Sequence, residues 1–191
     1  MRLGRRLVLL AAVATLLGGP VAATVAGASA ASAATPASAA TSNGWVRCAN
    51  LSPGTPEDVY LYPFGDPGHP VVLKHAEYGE VYDYMAVSAG EYTVAMRPVG
   101  APASRSPSVS TSFMVSAGAN YTVASLGSAT DRQLKVLTDR MSAPKGDALV
   151  RVVQASVKQP RVTASLGADV LARQLAFGSA TPYQAVPAGS P

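Results

Sequence analysis

The sequence predicts an all-β protein with an antiparallel, immunoglobulin-like β-sandwich, and three observations support this fold class. Short segments of alternating apolar and polar residues, rich in tyrosine and valine, recur along the chain, as in half-buried strands. Turn-forming pairs such as Pro53-Gly54 and Ala117-Gly118 separate these segments, at the spacing of about 8–12 residues that is typical of sandwiches. Beyond residue 44, no segment shows the apolar period of about 3.6 residues that marks an amphipathic helix.

The strands are predicted where this alternation is clearest, because alternate side chains of a strand point to opposite faces of its sheet. Two junctions between strands resemble each other: residues 88–95 and 116–124 both contain a strand end, a glycine and a new strand. We predict a β-hairpin at each junction, with Gly90 and Gly118 at positive φ. The predicted strands cover residues 59–62, 81–85, 92–96, 113–115, 121–124, 148–156, 160–166, 169–176 and 182–187.

A partial internal repeat divides the folded part of the chain. Arg47, in a Val-Arg pair, is matched by Arg151 at an offset of 104 residues. Further on, Tyr84 is matched by Tyr183 at an offset of 99 residues. A repeat of this length is a domain-sized unit, because solenoid periods are only about 20–50 residues.

The repeat predicts a first β-sandwich over residues 41–141 and a partial second copy over residues 142–191. The second copy stops at a point where the first continues into another strand. We therefore expect the sequence to be truncated at Pro191. Alternatively, the half unit pairs with the first unit or self-associates with a second molecule, since half a sandwich leaves open strand edges.

Residues 1–40 are predicted to be a helical signal peptide followed by an Ala/Ser-rich remnant. Three arginines precede a run over residues 7–17 that is apolar except for Thr15, and small-residue cleavage sites follow. A retained membrane anchor is the alternative. A membrane-spanning helix needs about 20 strongly apolar residues, however, and the second half of this segment consists mainly of Ala, Gly, Ser and Thr. We expect export by the general secretory route. The twin-arginine route, which Arg5-Arg6 suggests, is the alternative. The mature chain is then secreted or displayed at the cell surface, without a membrane span.

Charge and cysteine content exclude two further classes of protein. Beyond residue 40 the chain has twelve basic and eleven acidic residues, a net charge of +1, so nucleic acid is not an expected partner. Cys48 is the only cysteine, which excludes an internal disulfide. Because Cys48 aligns with Val152 in the repeat, we expect it to be a small buried hydrophobic residue.

Three weak motifs point to a known bacterial family. They are the Val-Arg-Val-Val-x-Ala-Ser run over residues 150–156, the Gly-to-Gly segment over 178–189 and the Ala-Gly-x-x-Tyr-Thr-Val strand over 117–123. Together they resemble domain-of-unknown-function family 4397, which occurs in exported and cell-surface proteins, often in tandem. The resemblance implies a fold and a location, and no activity or catalytic residue.

No constellation of residues predicts an enzyme or a cofactor. His69 and His75 would need a third ligand, such as Asp66 or Glu77, to hold a metal, and surface histidines are the simpler interpretation. Adjacent acids at Glu57-Asp58 point to opposite faces of a strand, so they cannot flank one bond. We expect no catalytic residue, no metal and no cofactor; a cell-envelope hydrolase is the disfavoured alternative.

The tyrosines offer the best candidate binding residues. Tyr60 and Tyr62 are predicted to share one strand face, as are Tyr82 and Tyr84. If these rings were exposed and adjacent, they would form a platform for a sugar ring or a protein surface. We therefore expect a non-enzymatic binding or structural module with an unknown ligand. An envelope glycan bound by the tyrosines, or a protein partner, is the binding alternative.

Overall fold

The computed structural model describes residues 42–189, and all regular secondary structure in that range is β-strand. The predicted signal peptide over residues 1–40 lies outside the described residues. Within the described range, no helix has the length and apolar content needed to cross a membrane. The strands are β1 (Asn43–Asn50), β2 (Glu57–Pro63), β3 (Val71–Ala76), β4 (Met85–Ser88), β5 (Gly90–Pro98), β6 (Val109–Val115), β7 (Asn120–Ser128), β8 (Asp131–Asp139), β9 (Asp147–Val150), β10 (Arg161–Leu166), β11 (Asp169–Ala176) and β12 (Gln184–Pro187).

β1 to β8 form two four-stranded sheets, with strand orders β4-β1-β7-β8 and β3-β2-β5-β6. Side chains of both sheets meet in one apolar core, among them Val46 and Val123 from the first sheet and Leu61 and Val94 from the second. The all-β prediction is confirmed. The pairing of the strands is antiparallel, as expected, except at one place, where β1 runs parallel to β7. Parallel neighbours need a long crossover, and here the whole second sheet lies between them in the sequence.

The two predicted glycine hairpins are wrong. β4 pairs with β1 whereas β5 pairs with β2 and β6, so residues 88–95 carry the chain from one sheet to the other. Residues 116–124 return it, between β6 and β7. Gly90 and Gly118 do have positive φ, 155° and 73°. A sharp bend after a strand makes the same demand on glycine whether the next strand pairs with its predecessor or crosses to the facing sheet.

β9 to β12 form two two-stranded sheets, β12-β9 and β10-β11. In the first of these, Val150 stands opposite Gln184 in an antiparallel register. β1 and β4 pair in the same way, with Val46 opposite Met85. The corresponding partners are 104 and 99 residues apart, the two offsets seen in the sequence. β9 and β12 are therefore spaced and paired like β1 and β4.

Segments that connect the C-terminal strands pack against the outer face of the sheet that contains β1 and β7. Ala49 and Ala124 on that face are small, and with Leu126 they form a second apolar cluster. Val153 and Phe177 pack against this cluster from the C-terminal side. Small side chains allow close approach of the backbone, so Val153 and Phe177 pack directly on β1 and β7.

Candidate functional site

The outer face of β1 and β7 carries polar side chains beside the small apolar ones. Val46 and Cys48 belong to the core, so the alternation of a strand places Arg47 on the outer face. Thr122 is the register partner of Arg47 across the parallel pair. Arg47 Nε donates a hydrogen bond to Thr122 Oγ1 at 2.9 Å. This polar pair stands where the C-terminal strands meet the sheet.

Asp139, the last residue of β8, is the centre of the polar group, and its side chain is only 1% exposed. Its Oδ2 accepts hydrogen bonds from Tyr84 Oη and Thr122 Oγ1, both at 2.5 Å. Its Oδ1 accepts a hydrogen bond from Tyr183 Oη at 3.1 Å and forms an ion pair with Arg151. One buried carboxylate therefore joins β7 and β8 to residues of the C-terminal segment. We call these residues the Asp139 cluster: Arg47, Tyr84, Thr122, Asp139, Arg151 and Tyr183.

Two arginine–tyrosine pairs flank the carboxylate. The guanidinium carbon of Arg47 lies 4.6 Å from the centre of the Tyr84 ring, and that of Arg151 lies 4.7 Å from the centre of the Tyr183 ring. Burial, followed by the hydrogen bond to Asp139, raises the pKa of Tyr84. Burial, followed by the negative charge of Asp139, raises the pKa of Tyr183. Both hydroxyls therefore stay protonated and remain donors to the carboxylate.

The two arginines are used differently. Arg151 donates to the backbone oxygen of Thr138 at 2.9 Å and pairs directly with Asp139, and its side chain is 12% exposed. Arg47 Nε lies 4.0 Å from Asp139 Oδ2, and its side chain is 32% exposed. Arg151 is thus held firmly in the cluster, whereas Arg47 lies at its open side.

An open cleft of about 470 Å³ lies beside the Asp139 cluster, between the outer sheet face and β9. Arg47, Arg140 and Arg151 supply positive charge along it. Val81 and Met141 also line the cleft, and they are 52% and 64% exposed. The cleft therefore combines guanidinium donors with an accessible apolar wall.

The chemistry of the cluster is that of an anchor. Both oxygens of Asp139 already accept hydrogen bonds from protein donors, which leaves the group poorly placed to remove a proton from a bound molecule. Across residues 42–189, no three His, Cys, Asp or Glu side chains come close enough together to hold a metal ion. The arrangement is suited to fixing two segments together and to presenting charged donors.

The four tyrosines singled out in the sequence do not form one platform. Tyr60 is buried, with its hydroxyl donating to Ala101 O at 3.0 Å. Tyr62 is half-buried on the same strand. Tyr82 packs against the core and donates to Glu80 at 3.0 Å, whereas Tyr84 bonds to Asp139. Residues 82–84 precede β4 rather than belonging to it, so strand alternation does not apply to them. Glycan binding stays a prediction, without the shared surface that we expected.

The candidate histidines and acids also lie apart. His75 Nε2 is 3.7 Å from Glu77 Oε1 in an exposed pair, and His69 is exposed in the loop before β3. Glu57 is buried in an ion pair with Arg132. Asp58 accepts hydrogen bonds from the backbone of His75 at 2.8 Å and of Gly100 at 3.0 Å.

The Asp58 contacts explain an unusual backbone at His75, whose φ is +60°. The carboxylate of Asp58 caps the irregular pairing of β2 with β3 at this point, so it acts as a register residue. Cys48 is 3% exposed, and burial raises its pKa to about 12. Its expected role as a small core residue is confirmed, and its thiol is not activated for chemistry.

Sequence reasoning missed Asp139, which is a single acid at the end of a strand with no motif around it. A signal for it did exist. Arg47 and Tyr84 recur as Arg151 and Tyr183, and arginine and tyrosine side chains both donate hydrogen bonds. The recurrence of these donors suggests a nearby acceptor, but the sequence alone does not indicate which of its acids supplies it.

The family of the chain follows from a comparison that spans this cluster. A family profile described as a domain of unknown function, DUF4397, matches residues 44–165. The chain belongs to the DUF4397 family. The DUF4397 match begins in β1 and ends in β10, so it includes Arg47, Asp139 and Arg151 but stops before Tyr183. A search of curated proteins finds none that matches this chain.

Proposed function

We propose that the protein is an exported, non-enzymatic structural module of the bacterial envelope or medium, in which two successive β-units are fixed rigidly together. The observation that carries the proposal is the buried Asp139 carboxylate. It takes hydrogen bonds from Tyr84 and Thr122 on one side of the junction and contacts Arg151 and Tyr183 on the other. A flexible tether would not need a desolvated carboxylate with donors from both sides.

The proposal includes an immunoglobulin-like sandwich followed by a partial second copy. Backbone pairing supports it, since the bridge from Ala49 to Val81 has a counterpart from Val153 to Ala180. Side chains support it too. Asn50 Oδ1 accepts from the backbone of a serine two residues later at 3.2 Å, and Gln154 Oε1 does the same at 2.9 Å. These partners have the offsets of 104 and 99 residues found in the sequence.

A structural role is favoured over an enzymatic one because the polar groups near the junction are occupied with each other. Asp139 is anchored by the two tyrosines and Arg151. The tyrosines use their hydroxyls and ring faces within the fold. Side chains held in this way stabilise geometry and contribute little to acid–base or covalent chemistry.

The decisive experiment is to remove one side of the joint. Arg151→Ala leaves the buried Asp139 without its closest cation, and breaking such a pair costs about 3–5 kcal/mol. We expect hydrogen–deuterium exchange to rise in β9 and β12, while β1 to β8 keep their protection. Arg173→Ala, at an exposed position on β11, is the matched control and should leave exchange unchanged. If β9 and β12 exchange equally fast in the wild type and in Arg151→Ala, the fixed joint is refuted.

The exported location has a separate test. The intact mass of the protein should be measured from the culture medium and from the cell-envelope fraction of the native host. We expect a chain that lacks about the first 30–40 residues, because small-residue cleavage sites end at residues 30, 33 and 40. A full-length chain found only inside the cells would overturn this component of the proposal.

A further inference from the structure

We propose that the cleft beside the Asp139 cluster binds a carboxylate carried on a small apolar body, with Arg47 as the residue that receives it. The inference stands on the geometry of the cleft and does not depend on the structural role proposed above. Three observations carry it: a local surplus of positive charge, unused donor capacity on Arg47, and an exposed apolar wall.

The charge around the cleft is unbalanced. Arg47, Arg140 and Arg151 all line it, and the acid in contact with the two arginines of the cluster is Asp139. That single negative charge is buried and engaged directly by Arg151. The accessible lining is therefore positive, and a partly enclosed positive lining attracts anions.

Arg47 has the donors that a carboxylate requires. Its Nε donates to Thr122 Oγ1, and within residues 42–189 this is its one side-chain hydrogen bond to the protein. Its guanidinium carbon lies 4.6 Å from the centre of the Tyr84 ring, a contact that holds the group in place before a ligand arrives. A planar, pre-oriented guanidinium matches a carboxylate with two parallel hydrogen bonds, a geometry that lysine cannot reproduce.

The rest of the lining indicates what the carboxylate is attached to. Val81 and Met141 are exposed on the wall of the cleft, with Leu51 and Val153 beside them. The volume of about 470 Å³ lies within the range of about 300–1,000 Å³ that small ligands occupy. A carboxylate next to small apolar groups fits this lining, as at the C-terminus of an alanine-rich peptide. An acidic sugar shares the carboxylate and lacks the apolar body.

The test compares acids with matched neutral molecules. The probes are N-acetyl-alanyl-alanine and its C-terminal amide, and D-glucuronic acid and D-glucose, each titrated into the mature chain and followed by two-dimensional NMR. We expect N-acetyl-alanyl-alanine to shift the signals of Arg47, Val81 and Met141. The amide should bind at least tenfold more weakly, because it loses the charge-assisted pair. Stronger binding of glucuronic acid than of the peptide would overturn the apolar body as part of the proposal, because the sugar shares only the carboxylate.

Two variants make Arg47 the deciding residue. Arg47→Ala should abolish the difference between acid and amide, and Arg47→Lys should keep the charge but weaken acid binding several-fold. Arg173→Ala serves as the control and should bind like the wild type. The unshifted NMR signals of the core report whether each variant is folded. Equal binding of acid and amide by the wild type, or acid binding that survives in folded Arg47→Ala, would overturn the proposal.

Discussion

Residues 43–139 and residues 147–187 contain similar strands but differ in how much they bury. Of the nineteen hydrophobic side chains buried in the described part of the chain, only Ala172 and Val186 belong to the later segment. The earlier segment has two sheets that cover each other's apolar faces. The later one has two strand pairs, and isolated pairs of strands are marginal in water.

The comparison shows what the junction contributes. A segment with few buried side chains of its own depends on a neighbour for a fixed position. Phe177 and Val153 supply apolar contact with the first unit, and Arg151 and Tyr183 supply polar contact through Asp139. The first segment therefore has a hydrophobic core of its own, whereas the second segment is ordered by its contacts with the first.

The largest expected difference between the two segments is in the free energy of unfolding that is lost when a leucine in each is replaced by alanine. Leu61 is 2% exposed in the core between the sheets, so Leu61→Ala should lower the free energy of unfolding by about 2–5 kcal/mol. Leu175 on β11 is only half-buried, and Leu175→Ala should cost about 1 kcal/mol or less. Urea unfolding followed by circular dichroism measures both. Equal losses would mean that the later segment has a core of its own.

A smaller effect is expected from removing one hydroxyl on each side of Asp139. Tyr84→Phe deletes a bond within the first segment, and Tyr183→Phe deletes one across the junction. Each should cost about 1–2 kcal/mol, because a buried carboxylate loses a donor. Only Tyr183→Phe should speed hydrogen exchange in β9 and β12. If Tyr84→Phe loosens those strands equally, the cluster acts as one network rather than as two sides of a joint.

The effect that is smallest at neutral pH comes from two raised pKa values, because it appears only at alkaline pH. Burial raises the pKa of Cys48 from 9.0 to about 12, and burial together with the Glu80 hydrogen bond raises that of Tyr82 from 10.0 to about 12. The unfolded chain releases these protons first, so the contribution of Cys48 and Tyr82 to stability is constant below about pH 9 and is lost between about pH 9 and 12. Urea unfolding at stepped pH measures the fall.

A variant of Cys48 tests whether this loss of stability at alkaline pH comes from the first segment. Cys48→Ala removes the thiol whose ionisation in the unfolded chain begins the loss, so the decline should start about one pH unit later, with tyrosine. The baseline stability of the variant is lower because a small cavity forms, but the slope against pH is the quantity to compare. An unchanged onset near pH 9 would show that Cys48 does not contribute.

Strands were predictable from sequence where alternation is clear, as in β2, β5 and β7, because alternation is a local property. The burial of Cys48 was predictable for the same reason, since it follows from its place in a strand pattern. The predicted strands do not cover β3 or β8, and the one expected over residues 81–85 overlaps β4 only at its first residue. Pairing between distant strands was not predictable, because no feature of residues 43–50 reveals that β7 is a parallel neighbour. The junctions at Gly90 and Gly118 were misread as hairpins, since a glycine bend carries no information about which sheet the next strand joins.

The candidate site was harder to predict than the fold. Tyr82 and Tyr84 were grouped by a strand rule that fails where the chain leaves regular structure just before β4. Asp139 has no motif, and its importance depends on Arg151 and Tyr183 being brought to it by tertiary packing. Local patterns identify which residues are on a surface, but only the packing of two segments identifies which surface groups become buried together.

The parallel pairing of β1 with β7 also determines when the first sheet can form during folding. Arg47 and its partner Thr122 are separated by 75 residues, and such distant contacts form slowly because a long loop must close first. As the chain is synthesised, β1 is made before β7. The pairing of β1 with β7 at the centre of the sheet therefore forms only after β7 has been synthesised. A growing chain therefore cannot complete this sheet early. The sheet stays incomplete until nearly the whole first unit has been made, which is compatible with the export proposed above, since a chain exported by the general secretory route crosses the membrane unfolded.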